Sequence, residues 1–222
     1  MKLILKLILF CVVGVTLFQG APLFLAAGDF KFWNAWLFIG ALSIPVFFIW
    51  MYLEKNDPAL VQKRMNVIEK NKAADIIRTF LALSIIALFL VSGFDYRYHW
   101  STVPIWVVVI FTIVMICGMF MVFMVMKENS FASRVIEIQE GQRVIDTGLY
   151  SVVRHPMYLA MTIIFCSSPF VLGSFYAFIP VVSICLFLLL RIKNEEKVLR
   201  DGLEGYDSYM KKVKYRLIPY VW

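Results

Sequence analysis

An arginine and a histidine stand immediately before a proline and a long apolar run, at Arg154, His155 and Pro156. Pro156 suits the first position of a helix and disfavours helical backbone at His155, so a helix is predicted to start there. The unpaired amides and the positive dipole end of a helix start attract anions, and Arg154 lies beside them. This segment therefore predicts a site for a carboxylate or a phosphate group.

Two acids, Glu195 and Glu196, follow the next apolar run. If the two runs form a helical hairpin, both acids return to the opening at which Arg154 and His155 lie. Carboxylates in that place could hold the hydroxyl or ammonium groups of a ligand. The main candidate site of the sequence is therefore an Arg-His pair on one leg of the hairpin and a Glu-Glu pair on the other.

Simpler interpretations exist for each residue of this site. Arg154 could be an interfacial anchor and His155 a capping residue. Glu196 could form a surface ion pair with Arg200, one helical turn away. Four tyrosines match an aromatic belt at a membrane surface: Tyr150, Tyr158, Tyr206 and Tyr209. Four irregularly spaced cysteines are interpreted as small apolar fillers, and no metal site is expected: Cys11, Cys117, Cys166 and Cys185.

The elements that position these residues are predicted to be membrane spans. Of the 222 residues, 61% are hydrophobic and 17% charged, which is too apolar for a soluble domain of this size. The clearest span, 104–126, has no charge and is long enough, at about 1.5 Å per residue, to cross roughly 30 Å of hydrocarbon. Six spans are predicted in all: 3–27, 33–53, 76–94, 104–126, 156–172 and 174–190.

Basic residues fall almost entirely on one side of these spans. All of the 22 Lys and Arg residues except Lys31 and Arg97 lie on one face. Short basic loops stay in the cytosol, so both termini are predicted to be cytosolic. The net charge of +7 is then explained by anionic lipids as partners, and no nucleic acid is expected. A bacterial plasma membrane is the expected location; the endoplasmic reticulum would satisfy the same charge pattern, and the oligomeric state stays open.

The predicted fold class is an all-α membrane protein with one small β-hairpin. Residues 1–126 form a transmembrane scaffold of four spans. Residues 127–222 form a catalytic region with a cytosolic cap, the helical hairpin and a C-terminal cytosolic helix. Within the cap, 134–139 and 142–145 flank Glu140-Gly141, which predicts the β-hairpin.

Several motifs of residues 127–222 occur together, in a fixed order: Gly148-x-Tyr150-x-x-x-Arg154-His155-Pro156-x-Tyr158, Glu195-Glu196-x-x-Leu199, Tyr206-x-x-Tyr209 and Tyr215-Arg216-Leu217-Ile218-Pro219. Together they resemble the isoprenylcysteine carboxyl methyltransferase and phospholipid methyltransferase superfamily of membrane enzymes. Ala160 departs from the pattern, because the family often has glycine there. The resemblance implies an S-adenosylmethionine-dependent methyltransferase.

The resemblance also implies roles for individual residues. The cofactor-binding set is Gln142, Tyr150, Arg154, His155, Tyr158, Glu195 and Glu196, with Gln142 and Tyr150 as the weaker members. The catalytic set is Arg154, His155 and Glu195; His155 or Glu195 would assist an acceptor that must lose a proton. The acceptor is expected to be lipophilic and to arrive from the bilayer as a prenylcysteine-like carboxylate, a lipid amine, a thiol or a hydroxyl.

Two other functions remain open. Membrane sterol-type reductases share the Arg-His-Pro-x-Tyr pattern and use NADPH, but they usually have Trp in place of Tyr150 and Asn in place of Met157. A non-catalytic lipid-binding or transport protein is the second alternative. The predicted spans lack the buried charges expected along a transport path.

Overall fold

The structure is a computed structural model that describes residues 14–65 and 71–222. These residues contain eight α-helices and no strand, so the predicted helical class is confirmed. A π-helical turn, Val15–Gly20, leads into the first helix, and a 3-10 turn, Gly148–Ser151, precedes the sixth. The helices are α1 (Ala21–Ala27), α2 (Trp33–Asn56), α3 (Pro58–Met65), α4 (Lys72–Tyr98), α5 (Ile105–Glu128), α6 (Pro156–Leu172), α7 (Phe178–Gly202) and α8 (Tyr206–Lys212).

Three of the described helices, α2, α4 and α5, are long and apolar enough to cross a membrane. They have 24, 27 and 24 residues and coincide with the second, third and fourth predicted spans. Helix α6 is apolar but has 17 residues, and the first predicted span lies partly outside the described residues. The count of six spans therefore stays a prediction.

Apolar side chains cover both the inside and the outside of the bundle. Phe38, Leu88 and Ile184 are almost fully buried between helices. Large apolar side chains on the outer faces, such as Phe48 and Phe120, are exposed. Because a helix of a soluble bundle places polar residues on its outer face, this distribution fits helices surrounded by lipid.

Helices α6 and α7 form the predicted helical hairpin. Gly173 adopts the left-handed conformation, with φ at 75°, and ends α6. Helix α7 begins at Phe178, four residues later than predicted, because Ser174 is held at the turn by Asp95 and accepts a hydrogen bond from the amide of Ala177. Helix α7 then continues without a break to Gly202 and carries both glutamates on its last turns.

The connections between helices collect at two ends of the bundle. At one end, Asp95 near the end of α4 accepts a hydrogen bond from Ser174 after α6. Asn34 at the start of α2 donates a hydrogen bond to the carbonyl of Val171 there. Since the helices alternate in direction, the ends of α5 and α7 and the start of α6 meet at the other end. That other end holds the predicted site.

The structure contains the turn of the predicted β-hairpin but not its two strands. Residues 140–141 do form a turn, with Gly141 at φ of 70° and the amide of Gln142 bonded to the carbonyl of Gln139. The flanking segments, however, do not pair as strands. Their polar groups are used otherwise, because the side-chain oxygen of Gln142 accepts from the amide of Gln139 and the Gln139 side chain donates to Phe131. Such side-chain bonds compete with a strand ladder.

Candidate functional site

A cavity of about 450 Å³ lies at the end of the bundle away from Asp95, which we call the cavity end. Its walls come from α3, the starts of α4 and α6, the end of α7 and the irregular segment that follows α5. The volume is in the range of sites for small molecules. Six of the seven residues predicted to bind a cofactor line it: Gln142, Tyr150, Arg154, His155, Tyr158 and Glu195.

The seventh predicted residue, Glu196, lies behind the cavity wall and joins three cationic or ring groups. One carboxylate oxygen accepts from Arg154 Nε at 2.8 Å and lies 3.3 Å from His155 Nε2. The other accepts from Arg216 Nε at 2.8 Å. Burial raises the pKa of the Glu196 carboxyl, but the hydrogen bonds from His155 and Arg154 outweigh burial and hold the pKa at about 2. Glu196 therefore positions its neighbours.

Arg154 is engaged on every side of its guanidinium group. Besides Glu196, it contacts the C-terminal segment, where Nη1 donates to the carbonyls of Val213 and Lys214 at 2.8 Å each. The sequence suggested that Arg154 would present its charge to an anion. The structure differs, because Glu196 already neutralises that charge at 2.7 Å. Arg154 is thus a positioning residue at the edge of the cavity.

The backbone of the C-terminal segment holds the start of α6 in place. The amides of Arg154 and His155 donate to the carbonyls of Tyr215 and Arg216, both at 2.9 Å. His155 occupies the position before α6, but no side chain caps this helix start. Its ring instead lies buried between the two acids, 4.0 Å from Glu195 and 3.3 Å from Glu196. His155 is therefore the N-cap residue of α6 by position, but its side chain serves the site and makes no capping hydrogen bond.

Glu195 is the acid that faces the cavity. Its side chain is 28% exposed, whereas that of Glu196 is 5% exposed. The hydroxyl of Tyr158 donates to a Glu195 oxygen at 2.5 Å and accepts from Arg191 Nε at 3.0 Å. Arg191 also donates to the carbonyl of Arg134. This chain of contacts fixes the Glu195 carboxylate between the start of α6 and the segment after α5.

Tyr150 and Gln142 also line the cavity. The Tyr150 hydroxyl accepts a hydrogen bond from Asn129 at 2.8 Å, and its carbonyl accepts one from the Tyr209 hydroxyl at 2.8 Å. Burial raises the pKa of the Tyr150 phenol to about 12, so the phenol is neutral at physiological pH. Tyr150 is therefore a neutral hydrogen-bonding group of the site.

Sequence reasoning missed most of the arginines of the cavity. Six arginines line it, against two glutamates, Glu137 and Glu195. Only Arg154 was among the predicted site residues. The others lie in or beside basic loops, where they looked like ordinary membrane-flanking charges: Arg64, Arg78, Arg134, Arg143 and Arg191. Their convergence on one cavity depends on packing that the spacing of the sequence does not reveal.

The segment that carries the site also has a relative among known families. Residues 106–201 match the isoprenylcysteine carboxyl methyltransferase (ICMT) family. The matched stretch runs from α5 almost to the end of α7 and includes every predicted site residue. It confirms the resemblance to this family, and it supports a membrane methyltransferase in general. No individual curated protein matches the chain. With three span-length apolar helices, the ICMT match indicates an integral membrane protein.

Proposed function

We propose that this protein is an integral membrane enzyme that transfers a methyl group from S-adenosylmethionine to a lipophilic acceptor. The observation that carries the proposal is one cavity, lined by His155, Tyr158 and Glu195, within the segment that matches the ICMT family. When bound, S-adenosylmethionine supplies a methyl group on a sulfonium, which an acceptor can take by direct displacement. The protein then needs no covalent nucleophile, and positioning supplies most of the catalysis.

The residues present fit this cofactor by their chemistry. Glu195 offers a partly exposed carboxylate for hydroxyl or ammonium groups. The arginine-rich wall offers partners for a carboxylate. Four apolar side chains provide a surface for a flat aromatic base: Val144, Ile145, Leu199 and Leu203.

His155 and Glu195 are the groups placed to handle a proton. An amine or hydroxyl acceptor must lose a proton during methyl transfer, whereas a carboxylate or thiolate has none to lose. Tyr158 holds Glu195, and Glu196 holds His155. Both groups are thus fixed against the cavity, and the burial of His155 limits the access of water to its ring.

The membrane arrangement completes the proposal. The first predicted span, α6 and the apolar first half of α7 would add three crossings to α2, α4 and α5, which brings both termini and the cavity end to the cytosolic face. Basic loops there would contact anionic lipids. Reporter fusions after residue 102 and after residue 140 test this arrangement, since we expect the first to report the outer side and the second the cytosol.

Calorimetry on detergent-purified full-length protein tests the cofactor. We would titrate S-adenosylhomocysteine and, separately, NADPH into the wild type, His155→Ala and Glu195→Gln. We expect the wild type to bind S-adenosylhomocysteine and both variants to bind it at least about tenfold more weakly, roughly 1.4 kcal/mol. Glu204→Gln is the matched control, because Glu204 is exposed and does not line the cavity.

Other results would redirect the proposal. Saturable binding of NADPH instead of S-adenosylhomocysteine would favour the reductase function. If folded wild-type protein bound neither compound, a non-catalytic lipid-binding role would replace the enzyme. If Glu204→Gln weakened binding as much as Glu195→Gln, the effect would not report on the cavity.

A further inference from the structure

Two of the arginines that sequence reasoning missed lie together on the cavity wall. Helix α3 packs on the segment after α5, where Arg64 Nη1 donates to the carbonyl of Ala132 at 2.7 Å. The neighbouring Lys63 donates to the carbonyl of Ser130 at 3.3 Å. These contacts bring Arg64 beside Arg134, two residues beyond Ala132, and both line the cavity.

Neither of these two arginines is neutralised by an acid of the described residues. The ion pairs of residues 14–65 and 71–222 involve other arginines: Arg78, Arg154, Arg200 and Arg216. Burial and the neighbouring charge of Arg134 lower the pKa of Arg64 to about 10, so Arg64 remains cationic at neutral pH. Burial also lowers the pKa of Arg134, but a guanidinium group stays protonated in proteins. Within residues 14–65 and 71–222, the cavity end thus places two like charges side by side without a counter-ion.

Arg154, which also lines the cavity, differs from these two arginines because its charge is neutralised within the protein. Glu196 and two carbonyls satisfy its guanidinium group within the protein. Partial desolvation of Arg64 beside a like charge costs free energy that such a partner would offset. An anionic ligand group in the cavity would supply that partner, through charge-assisted hydrogen bonds that guanidinium groups form with carboxylates and phosphates.

We propose that Arg64 and Arg134 form an anion subsite of the cavity, which takes a carboxylate or a phosphate group. Two sources have this chemistry. One is the amino-acid carboxylate of S-adenosylmethionine, in which case the subsite rests on the proposed function. The other is the phosphate of a lipid head group on the acceptor.

Binding measurements on full-length protein in detergent separate the two sources. The variants are Arg64→Gln, Arg134→Gln and the double variant, with Arg200→Gln as the matched control outside the cavity. The probes are S-adenosylhomocysteine, 5′-methylthioadenosine, which lacks the amino-acid group, and inorganic phosphate. Thermal unfolding without ligand identifies variants that fail to fold. Arg134→Gln keeps the test valid even if Arg64→Gln does not fold, because only Arg64 bonds to the carbonyl of Ala132.

Two results would support the subsite. If it holds the cofactor carboxylate, the arginine variants bind S-adenosylhomocysteine at least about tenfold more weakly and bind 5′-methylthioadenosine as the wild type does. If it holds an acceptor phosphate, S-adenosylhomocysteine binding is unchanged, and the stabilisation of the wild type by inorganic phosphate is lost in the variants.

Two other results would overturn it. One is equal binding of every probe to the wild type and to the folded double variant. The other is an equal loss in Arg200→Gln, which would indicate a general effect of net charge. A wild type that binds phosphate through Arg64 and Arg134 but does not bind S-adenosylhomocysteine would keep the subsite and reject the proposed cofactor.

Discussion

The two ends of the helical bundle bury carboxylates in opposite ways. At the end away from the cavity, Asp95 accepts hydrogen bonds from the amide and hydroxyl of Ser101, at 2.8 and 2.6 Å, and from the hydroxyl of Ser174 at 2.5 Å. At the cavity end, Glu196 contacts two guanidinium groups and an imidazole. One acid is thus satisfied by neutral donors and the other by cations.

This difference distinguishes the end at which the acid links two helix connections from the end that contains the candidate ligand site. Asp95 and its partners join the α4–α5 and α6–α7 connections, and these groups form hydrogen bonds with one another. The cavity end instead holds an excess of arginines around an open volume. Arg64 is half-buried there, and no acid among the described residues pairs with it. Because partial removal of a charge from water is costly without such a partner, its position on the cavity wall supports the anion subsite proposed above.

Loss of Glu196 should have the largest effect. Glu196→Ala leaves Arg154, His155 and Arg216 without their shared acceptor, and breaking a buried ion pair by removing one partner costs about 3–5 kcal/mol. We expect that loss in the free energy of unfolding, measured by chemical denaturation in detergent. Glu204→Ala, at an exposed position of the following loop, is the control. A loss below about 1 kcal/mol would mean that Glu196 does not organise the site.

The same carboxylate predicts a response to acid. Its pKa falls from an ordinary 4.5 to about 2 in the folded protein, so its contribution is complete above pH 4.5 and disappears as the pH falls through about 2. We expect the difference in unfolding free energy between the wild type and Glu196→Ala to shrink over that interval. A difference that stays constant from pH 5 to pH 2 would contradict the ion-pair account.

Asp95→Ala should have an intermediate effect that is confined to its own end. Removal of the carboxylate leaves the hydroxyls of Ser101 and Ser174 without this acceptor, which costs about 1–3 kcal/mol. We expect lower stability by denaturation and unchanged affinity for S-adenosylhomocysteine in the folded fraction. If affinity fell as much as in Glu195→Gln, the two ends would be coupled, and the contrast between them would fail.

The sequence predicted the parts of the fold that depend on local patterns. Apolar length located α2, α4 and α5, and Pro156 marked the first residue of α6. The hairpin interpretation brought the Arg-His and Glu-Glu pairs together, as the Arg154–Glu196 contact at 2.7 Å shows. These predictions succeeded because they rest on local features, namely the length of apolar runs, the preference of proline for a helix start and the turn between α6 and α7.

What the sequence could not predict depends on contacts between distant segments. The turn at Gly141 predicted a β-hairpin in the cap. In the structure, hydrogen bonds of the Gln139 and Gln142 side chains replace the strand pairing. Arg64 and Arg134 meet because α3 packs on the segment after α5. Nothing in the spacing of residues 64 and 134 indicates that contact, and both looked like ordinary basic loop residues.

Arg200 gives the smallest expected effect and the sharpest check on Glu196. The sequence offered Arg200 as the helical ion-pair partner of Glu196, but the structure places Arg200 3.7 Å from Asp207, with side chains that are 53% and 70% exposed. Such surface pairs contribute about 0–1 kcal/mol, so we expect Arg200→Ala to change the unfolding free energy by about 0.5 kcal/mol or less. A double-mutant cycle between Glu196 and Arg200 should then show almost no coupling, whereas the cycle between Glu196 and Arg154 should show a large one. Strong coupling to Arg200 would mean that Glu196 forms a surface ion pair. It would contradict the contacts of Glu196 with Arg154, His155 and Arg216.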